Sequence, residues 1–311
     1  MKKTISILIL VLFISGCTTL SDLFRPKQET KEMPEDVITV ENVNVLPIPP
    51  IIAGDQFSVS FQLTNVEEKQ EIPTSYQLLD DGLCSLVSGQ ADSEDLGLLV
   101  PGQVEFREWT FRTPQSSEIA YLKAVCPVRF KVNYTFFSES EIEVNVISRE
   151  RYMQLQQSGT FETFTPTLTV GRGPIKIYME FGATLPLRSG SILPVYMTVE
   201  DRGSGLFEEV SEGKLFLQVP NDVNNNGFTI YDCGAMEFYQ GSETFVDYDN
   251  YDFYRNRVAI PLIAKKTYKI KCSLNVPEVD TEQTYFLNAY FQSYEYDIIK
   301  QVDVEIQPLA A

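Results

Sequence analysis

The sequence predicts an all-β chain, built as two β-sandwiches in tandem and joined by one short helix. Three observations predict it. Apolar and polar residues alternate with a period of two over several short runs, the pattern of half-buried strands. Strand-forming residues are abundant, with 16 Tyr and 20 Phe, and the 17 Gly and 17 Pro are spread between the runs as turn signals. The third observation is that the second half repeats the plan of the first.

The chain begins with the basic Met1-Lys2-Lys3, an apolar run from Thr4 to Phe13, and the small-residue segment Ile14-Ser15-Gly16-Cys17. A charged start, a short apolar stretch and a small-residue cleavage site make a secretory signal over residues 1–16. The apolar run is too short to span a bilayer, which takes about 20 residues. Its last four residues resemble the lipobox of prokaryotic lipoproteins. That resemblance implies cleavage before Cys17, lipid on its thiol, and a membrane-anchored protein facing the exterior or periplasm. Residues 17–36 are polar, with Pro26 and Pro34 and no steady periodicity. They read as a tether with a root-mean-square span of roughly 25 Å.

The first sandwich is expected over residues 37–148. Phe57, Val59, Phe61 and Leu63 alternate with Ser58, Ser60, Gln62 and Thr64 after the turn Ala53-Gly54-Asp55. Val104 to Phe111, Val128 to Phe136 and Ile142 to Ile147 continue the style, with turns expected at Pro101-Gly102 and Ser138-Glu139-Ser140. Arg149 to Gln157 reads as a helix stopped by Gly159, within a helical linker over residues 149–163. Tyr152 and Leu155 share one face of it.

The second sandwich is expected over residues 164–311. Leu193, Val195, Met197 and Val199 superpose on Phe57, Val59, Phe61 and Leu63 without a gap from Gly54 and Gly190 onward. Tyr285, Leu287, Ala289 and Phe291 take the part of Val128, Phe130, Val132 and Tyr134. Each half ends in an alternating strand, Ile142-Val144-Val146 in the first and Val302-Val304-Ile306 in the second.

The run Ile52 to Asn65 is similar to the second strand of immunoglobulin-like, adhesion-type modules of prokaryotic cell-surface proteins, many of them archaeal. Cys126 to Tyr134 resembles a late strand of such domains. The resemblance implies two tandem immunoglobulin-like sandwiches that mediate binding or act as spacers at the cell surface, and it implies no activity. Trp109, the one tryptophan, lies too late to be the core tryptophan of antibody-type domains, and their wide cysteine pairing is missing.

Charge and composition exclude several functions. The net charge is −18, and −20 once Lys2 and Lys3 leave with the signal. No basic stripe exists to displace the counterions of nucleic acid, so nucleic acid is not a partner. There is no histidine, which excludes Ser-His-Asp and Cys-His nucleophile systems and imidazole zinc sites. The chain is read as a non-enzyme. A glycoside hydrolase working with carboxylates alone is the catalytic alternative.

Beyond Cys17, four cysteines remain, and their partition between the halves favours the disulfides Cys84–Cys126 and Cys233–Cys272, with buried free thiols the other reading. Each bridge would close a loop of about 40 residues, with stabilisation of about 3–4 kcal/mol in the chain-entropy treatment.

Asp222-Val223-Asn224-Asn225-Asn226-Gly227 fits the first half of a calcium loop, with oxygen ligands from Asp222, Asn224 and Asn226 and the backbone carbonyl of Phe228. Cys233 stands where the bidentate acid belongs, and Asp232 is one place early. The same stretch also makes an ordinary hairpin turn. Calcium is thus the one candidate cofactor. Asp247, Tyr248, Asp249, Tyr251, Asp252 and Tyr254 interleave carboxylates with rings. They suit a carbohydrate-binding surface, further calcium ligands, or a solvated loop. Asn133-Tyr134-Thr135 is a glycosylation sequon inside an expected strand. The expected work is binding, adhesion or spacing in the cell envelope, toward a surface protein or a glycan.

Overall fold

The computed structural model describes residues 35–163, 166–221, 227–239, 250–263 and 267–309. Cys17, the signal segment and most of the tether lie outside these residues. The first half forms β1 (Ile38–Leu46), β2 (Ile51–Ile52), β3 (Gln56–Asn65), β4 (Ile72–Asp80), β5 (Ser85–Leu86), β6 (Ser93–Leu99), β7 (Val104–Arg112) and β8 (Ala124–Ile147). One helix, α1 (Arg149–Ser158), follows. The second half forms β9 (Leu168–Val170), β10 (Ile175–Phe181), β11 (Leu187–Arg188), β12 (Ile192–Asp201), β13 (Glu209–Val210), β14 (Leu215–Pro220), β15 (Thr229–Tyr231), β16 (Met236–Tyr239), β17 (Tyr251–Asn256), β18 (Ile260–Pro261), β19 (Tyr268–Asn275) and β20 (Gln283–Gln307). The fold is all-β, as the alternation requires.

Two four-stranded sheets carry the repeat. One has the order β1-β3-β7-β5 and the other β10-β12-β19-β15. In β3 and β12 the same alternate positions are buried, so Phe57, Val59, Phe61 and Leu63 match Leu193, Val195, Met197 and Val199 in burial as in sequence. The turns entering both strands use glycine at positive φ, 91° at Gly54 and 65° at Gly190, where a side chain would be strained.

Both small sheets pack on one ten-stranded sheet, seven strands of which run in the order β16-β17-β14-β20-β8-β4-β6 while β2 pairs with β20 and β9 and β11 with β8. Its spine is the antiparallel pair β8–β20, 24 and 25 residues long. Tyr134 faces Tyr296 and Val128 faces Val302 in the first half, while Leu287 faces Ile142 and Tyr285 faces Val144 in the second. Each long strand therefore starts in its own half and finishes in the other. The exchange is gripped at both ends by a short parallel strand: β2 pairs Ile51 with Ile306, and β11 pairs Leu187 with Val146.

The turn expected at Ser138-Glu139-Ser140 is absent. Ser138 and Ser140 are buried in the middle of β8, and Ser138 Oγ lies 2.9 Å from the Tyr294 hydroxyl. Serine punctuates a chain when it bonds its own backbone. Here tertiary packing takes the hydroxyl instead. A register shift between Phe291 and Tyr294 marks the crossing on β20.

The first small sheet meets the long sheet through rings. Phe61 stacks on Phe130 with centroids 4.5 Å apart, and Trp109 lies edge-on to Tyr76 at 5.4 Å and to Phe130 at 5.5 Å. The Trp109 indole donates to the Ala91 carbonyl at 3.1 Å, so its one polar atom is paired. Where the halves meet, the Tyr296 hydroxyl donates to Asp201 Oδ1 at 2.9 Å, and the Ser204 amide donates to the Asp36 carboxylate at 3.0 Å. Burial and then the nearby Asp201 carboxylate push the Tyr296 hydroxyl far above the ordinary phenol range.

Both disulfides join the residues the partition favours. Cys84 bonds Cys126 across 42 positions and Cys233 bonds Cys272 across 39. Helix α1 begins at Ser148, whose side chain accepts from the Arg151 amide, and ends at Gly159 in the left-handed conformation. None of its residues is buried, so the expected docking face is not a core face. Tyr152 instead meets Phe161 edge-on at 4.8 Å.

Candidate functional site

The described residues hold only part of each set expected to work together. Asp222, Asn224 and Asn226 lie outside the described residues. Phe228 is fully buried with its ring edge-on to Tyr285 at 5.1 Å, and Asp232 is exposed at φ 51°. Among the described residues no group of three or more metal-ligating side chains comes together.

Asp247, Tyr248 and Asp249 also lie outside the described residues. The remaining three acidic-aromatic positions fall on β17, where period-two geometry sends Tyr251 to one face and Asp252 and Tyr254 to the other. Tyr254 is buried, and its hydroxyl accepts from the Ile230 amide at 3.0 Å. Burial raises the pKa of that hydroxyl. Tyr254 is thus a core ring, and the carbohydrate-binding surface expected over Asp247 to Tyr254 loses it. Asp252 accepts from Asn221 Nδ2 at 2.8 Å, a brace between β14 and β17.

A different site stands out on the outer face of the long sheet, where β8 and β20 cross between the halves. A groove of about 730 Å³ runs there, lined by Glu71 just before β4, Pro73 of β4, Phe137 and Glu139 of β8, Gln218 of β14, and Tyr290 of β20. The strands that place these side chains are held by buried partners on the opposite face, so the site rests on rigid backbone. Phe137 projects outward because Phe136 beside it takes the core position, and the two rings stack with centroids 5.4 Å apart.

At the floor, the Tyr290 hydroxyl donates to Gln218 Oε1 at 2.8 Å, and Asn288 Nδ2 lies 3.4 Å from the same oxygen. Burial, followed by the negative fields of Glu139 and Glu141, pushes the Tyr290 phenol up to about 12. It stays protonated at physiological pH, a neutral donor oriented by Gln218. Next to it a smaller hollow of about 240 Å³ is bounded by Glu139, Glu141, Thr169 and Asn288. The combined surface offers apolar ring faces, amide groups and exposed carboxylates. It carries no activated nucleophile.

None of the groove residues was among the expected site residues. The sequence signal for them is the doublet Phe136-Phe137, of which strand alternation buries only the first ring. On the same outer face Asn133 donates from Nδ2 to Asp297 Oδ1 at 2.8 Å, and Lys131 pairs with Asp297 at 3.4 Å. The sequon asparagine is therefore a cross-strand partner of β20.

No protein-family model and no curated protein matches this chain. Among solved structures, the ASH/PapD-like domain 7 of human CEP192 is similar at 13% identity and a TM-score of 0.23, over 36% of this chain and 80% of that one. Chitinase ChiA74 from Bacillus thuringiensis is similar at 10% identity and a TM-score of 0.19, over 79% of this chain. The chain spans 28% of that chitinase. Likenesses of this size do not bear on what the protein does.

Proposed function

We propose that this protein is an outward-facing envelope lipoprotein, anchored through Cys17, that binds a glycan strand in the groove where its halves meet. In this reading the two halves are immunoglobulin-like sandwiches, tandem in sequence but interlocked through β8 and β20. The observation that carries the proposal is the groove of about 730 Å³, with Phe137 and Tyr290 as ring faces and Glu71, Glu139 and Gln218 as polar groups. Sugars are bound by rings packing on their apolar C–H faces and by amides and carboxylates meeting their hydroxyls, in concave sites with few polar groups. Two disulfides fit an oxidising compartment, in keeping with an exported chain. Among the described residues no helix is long and apolar enough to cross a membrane.

The test is a glycan array probed with the mature chain, followed by titration of Phe137→Ala. Phe137 is exposed, so its removal leaves the fold intact. The expected result is a roughly 10-fold or greater loss of affinity, equivalent to about 1.4 kcal/mol. Glycan binding that is indifferent to Phe137 would place the work elsewhere on the molecule.

A further inference from the structure

The end of the first half away from the crossing carries an unusual surface. Leu46, Leu83 and Leu309 are each 61% exposed, Tyr121 65%, Leu122 67% and Ile48 81%. They sit on turns that the fold brings to one end. Leu46 ends β1 beside the start of β3, since it pairs with Ser58. The Leu309 amide donates to Ser116 Oγ at 2.9 Å, and the Tyr121 amide donates to the Ser116 carbonyl at 2.8 Å. The Cys84–Cys126 bridge holds Leu83 beside the first residues of β8.

The corresponding turns of the second half behave differently. Leu185, Val276 and Val279 are buried there, while Ile192 and Tyr231 are exposed on strands. Among the described residues the apolar turns are thus displayed by the first repeat and not by the second. Soluble surfaces scatter single exposed apolar residues, whereas a cluster marks a contact surface.

We infer that this end of the first half dips into a lipid surface. The inference rests on the anchoring at Cys17 proposed above. Leu46-Pro47-Ile48-Pro49-Pro50 and Ile119-Ala120-Tyr121-Leu122 contain no charged residue, in a chain of net charge −18. Aliphatic side chains with a tyrosine, displayed on turns, suit the boundary between headgroups and acyl chains, which deforms around them. Reach is sufficient. Glu35 lies 18 residues beyond Cys17, and that length spans at most roughly 60 Å. The nine residues of β1 cover about 30 Å between the end where the tether enters and the apolar turns. An anchored chain can therefore lie with these turns on the bilayer, which orients the groove relative to the surface.

The experiment uses the mature chain with Cys17→Ser, so that no acyl group contributes, mixed with phosphatidylcholine vesicles and sedimented. The expected result is vesicle-bound protein, with partition reduced at least ~10-fold in Ile48→Asp/Leu122→Asp. Both positions are surface positions, so an unchanged thermal midpoint is expected and separates lost contact from lost fold. Phe106→Ala, at a 70% exposed ring on β7 away from these turns, is the control and keeps full partition. Failure of the Cys17→Ser chain to sediment, or equal partition for the double variant, would overturn the inference. Recovery of a protein on this end without vesicle binding would overturn it too. The mass of Cys17 from native membranes tests anchoring separately: an unmodified thiol sinks the anchor and leaves the vesicle result standing.

Discussion

Leu217→Ala tests whether the two halves unfold as one body. Leu217 is 1% exposed on β14, paired with Ala289 of β20 and Tyr254 of β17, wholly within the second half. Truncating a buried leucine costs about 2–5 kcal/mol through lost burial and the cavity left behind. In a body of this size, 1 kcal/mol moves the thermal midpoint by about 2–4 °C, so a loss of ~3 kcal/mol lowers it by roughly 6–12 °C. The assay is Trp109 fluorescence. This single tryptophan is buried against Phe61, Tyr76 and Phe130 in the first half and reports on nothing else. Because β20 leaves Ala289 and continues past the crossing to pair with β8 beside Trp109, loosening its start must loosen its end. The Trp109 midpoint should fall together with the far-ultraviolet dichroism midpoint. A Trp109 transition that stays put while the dichroism transition moves would refute interlocking and restore two independent beads.

Three more predictions follow from the same geometry. Converting Cys84 and Cys126 to alanine frees a loop of 42 residues and should cost about 4 kcal/mol on the chain-entropy estimate; denaturant titration of the double variant against the parent reads the cost directly. Alkali should destabilise the fold: burial lifts Tyr76 and Tyr290 from 10.0 to about 12. Their stabilisation is complete below about pH 10, where unfolded phenols are also neutral, and is lost as pH rises through about 12. Tyrosinate absorbance appearing at pH 10 without a change in dichroism would contradict that. Asp201→Ala strips the Tyr296 hydroxyl of its 2.9 Å acceptor and should cost about 1–3 kcal/mol, whereas Asp201→Asn keeps an acceptor oxygen and should recover part of that loss in calorimetry.

The individual strands were legible because their physics is local. Phe57 to Leu63 and Leu193 to Val199 alternate in sequence, and both bury the expected faces. The disulfides were legible from cysteine count and position. Continuity of β8 was not, since Ser138 reads as a turn residue until Tyr294, more than 150 positions away, supplies its partner. The groove was hidden for the same reason. Glu139, Gln218 and Tyr290 come from three strands and Glu71 from the residue before a fourth, and only the crossing of β8 and β20 brings them side by side. Tyr254 misled in the opposite sense: an aromatic in an acidic run looks exposed, but strand pleating turned it inward.

Interlocking also sets a timetable. Synthesis runs from the N-terminus, yet residues 124–136 find their partner only at 294–306. The first half can collect β1, β3, β4 and β7 early, but one edge of its larger sheet stays open until residues 294–306 are made. Contacts of such sequence separation form slowly, because a long loop must close before they are rewarded. A chain that cannot finish its first half ahead of its last strand stays open for most of its synthesis, and it locks only once residues 294–306 arrive.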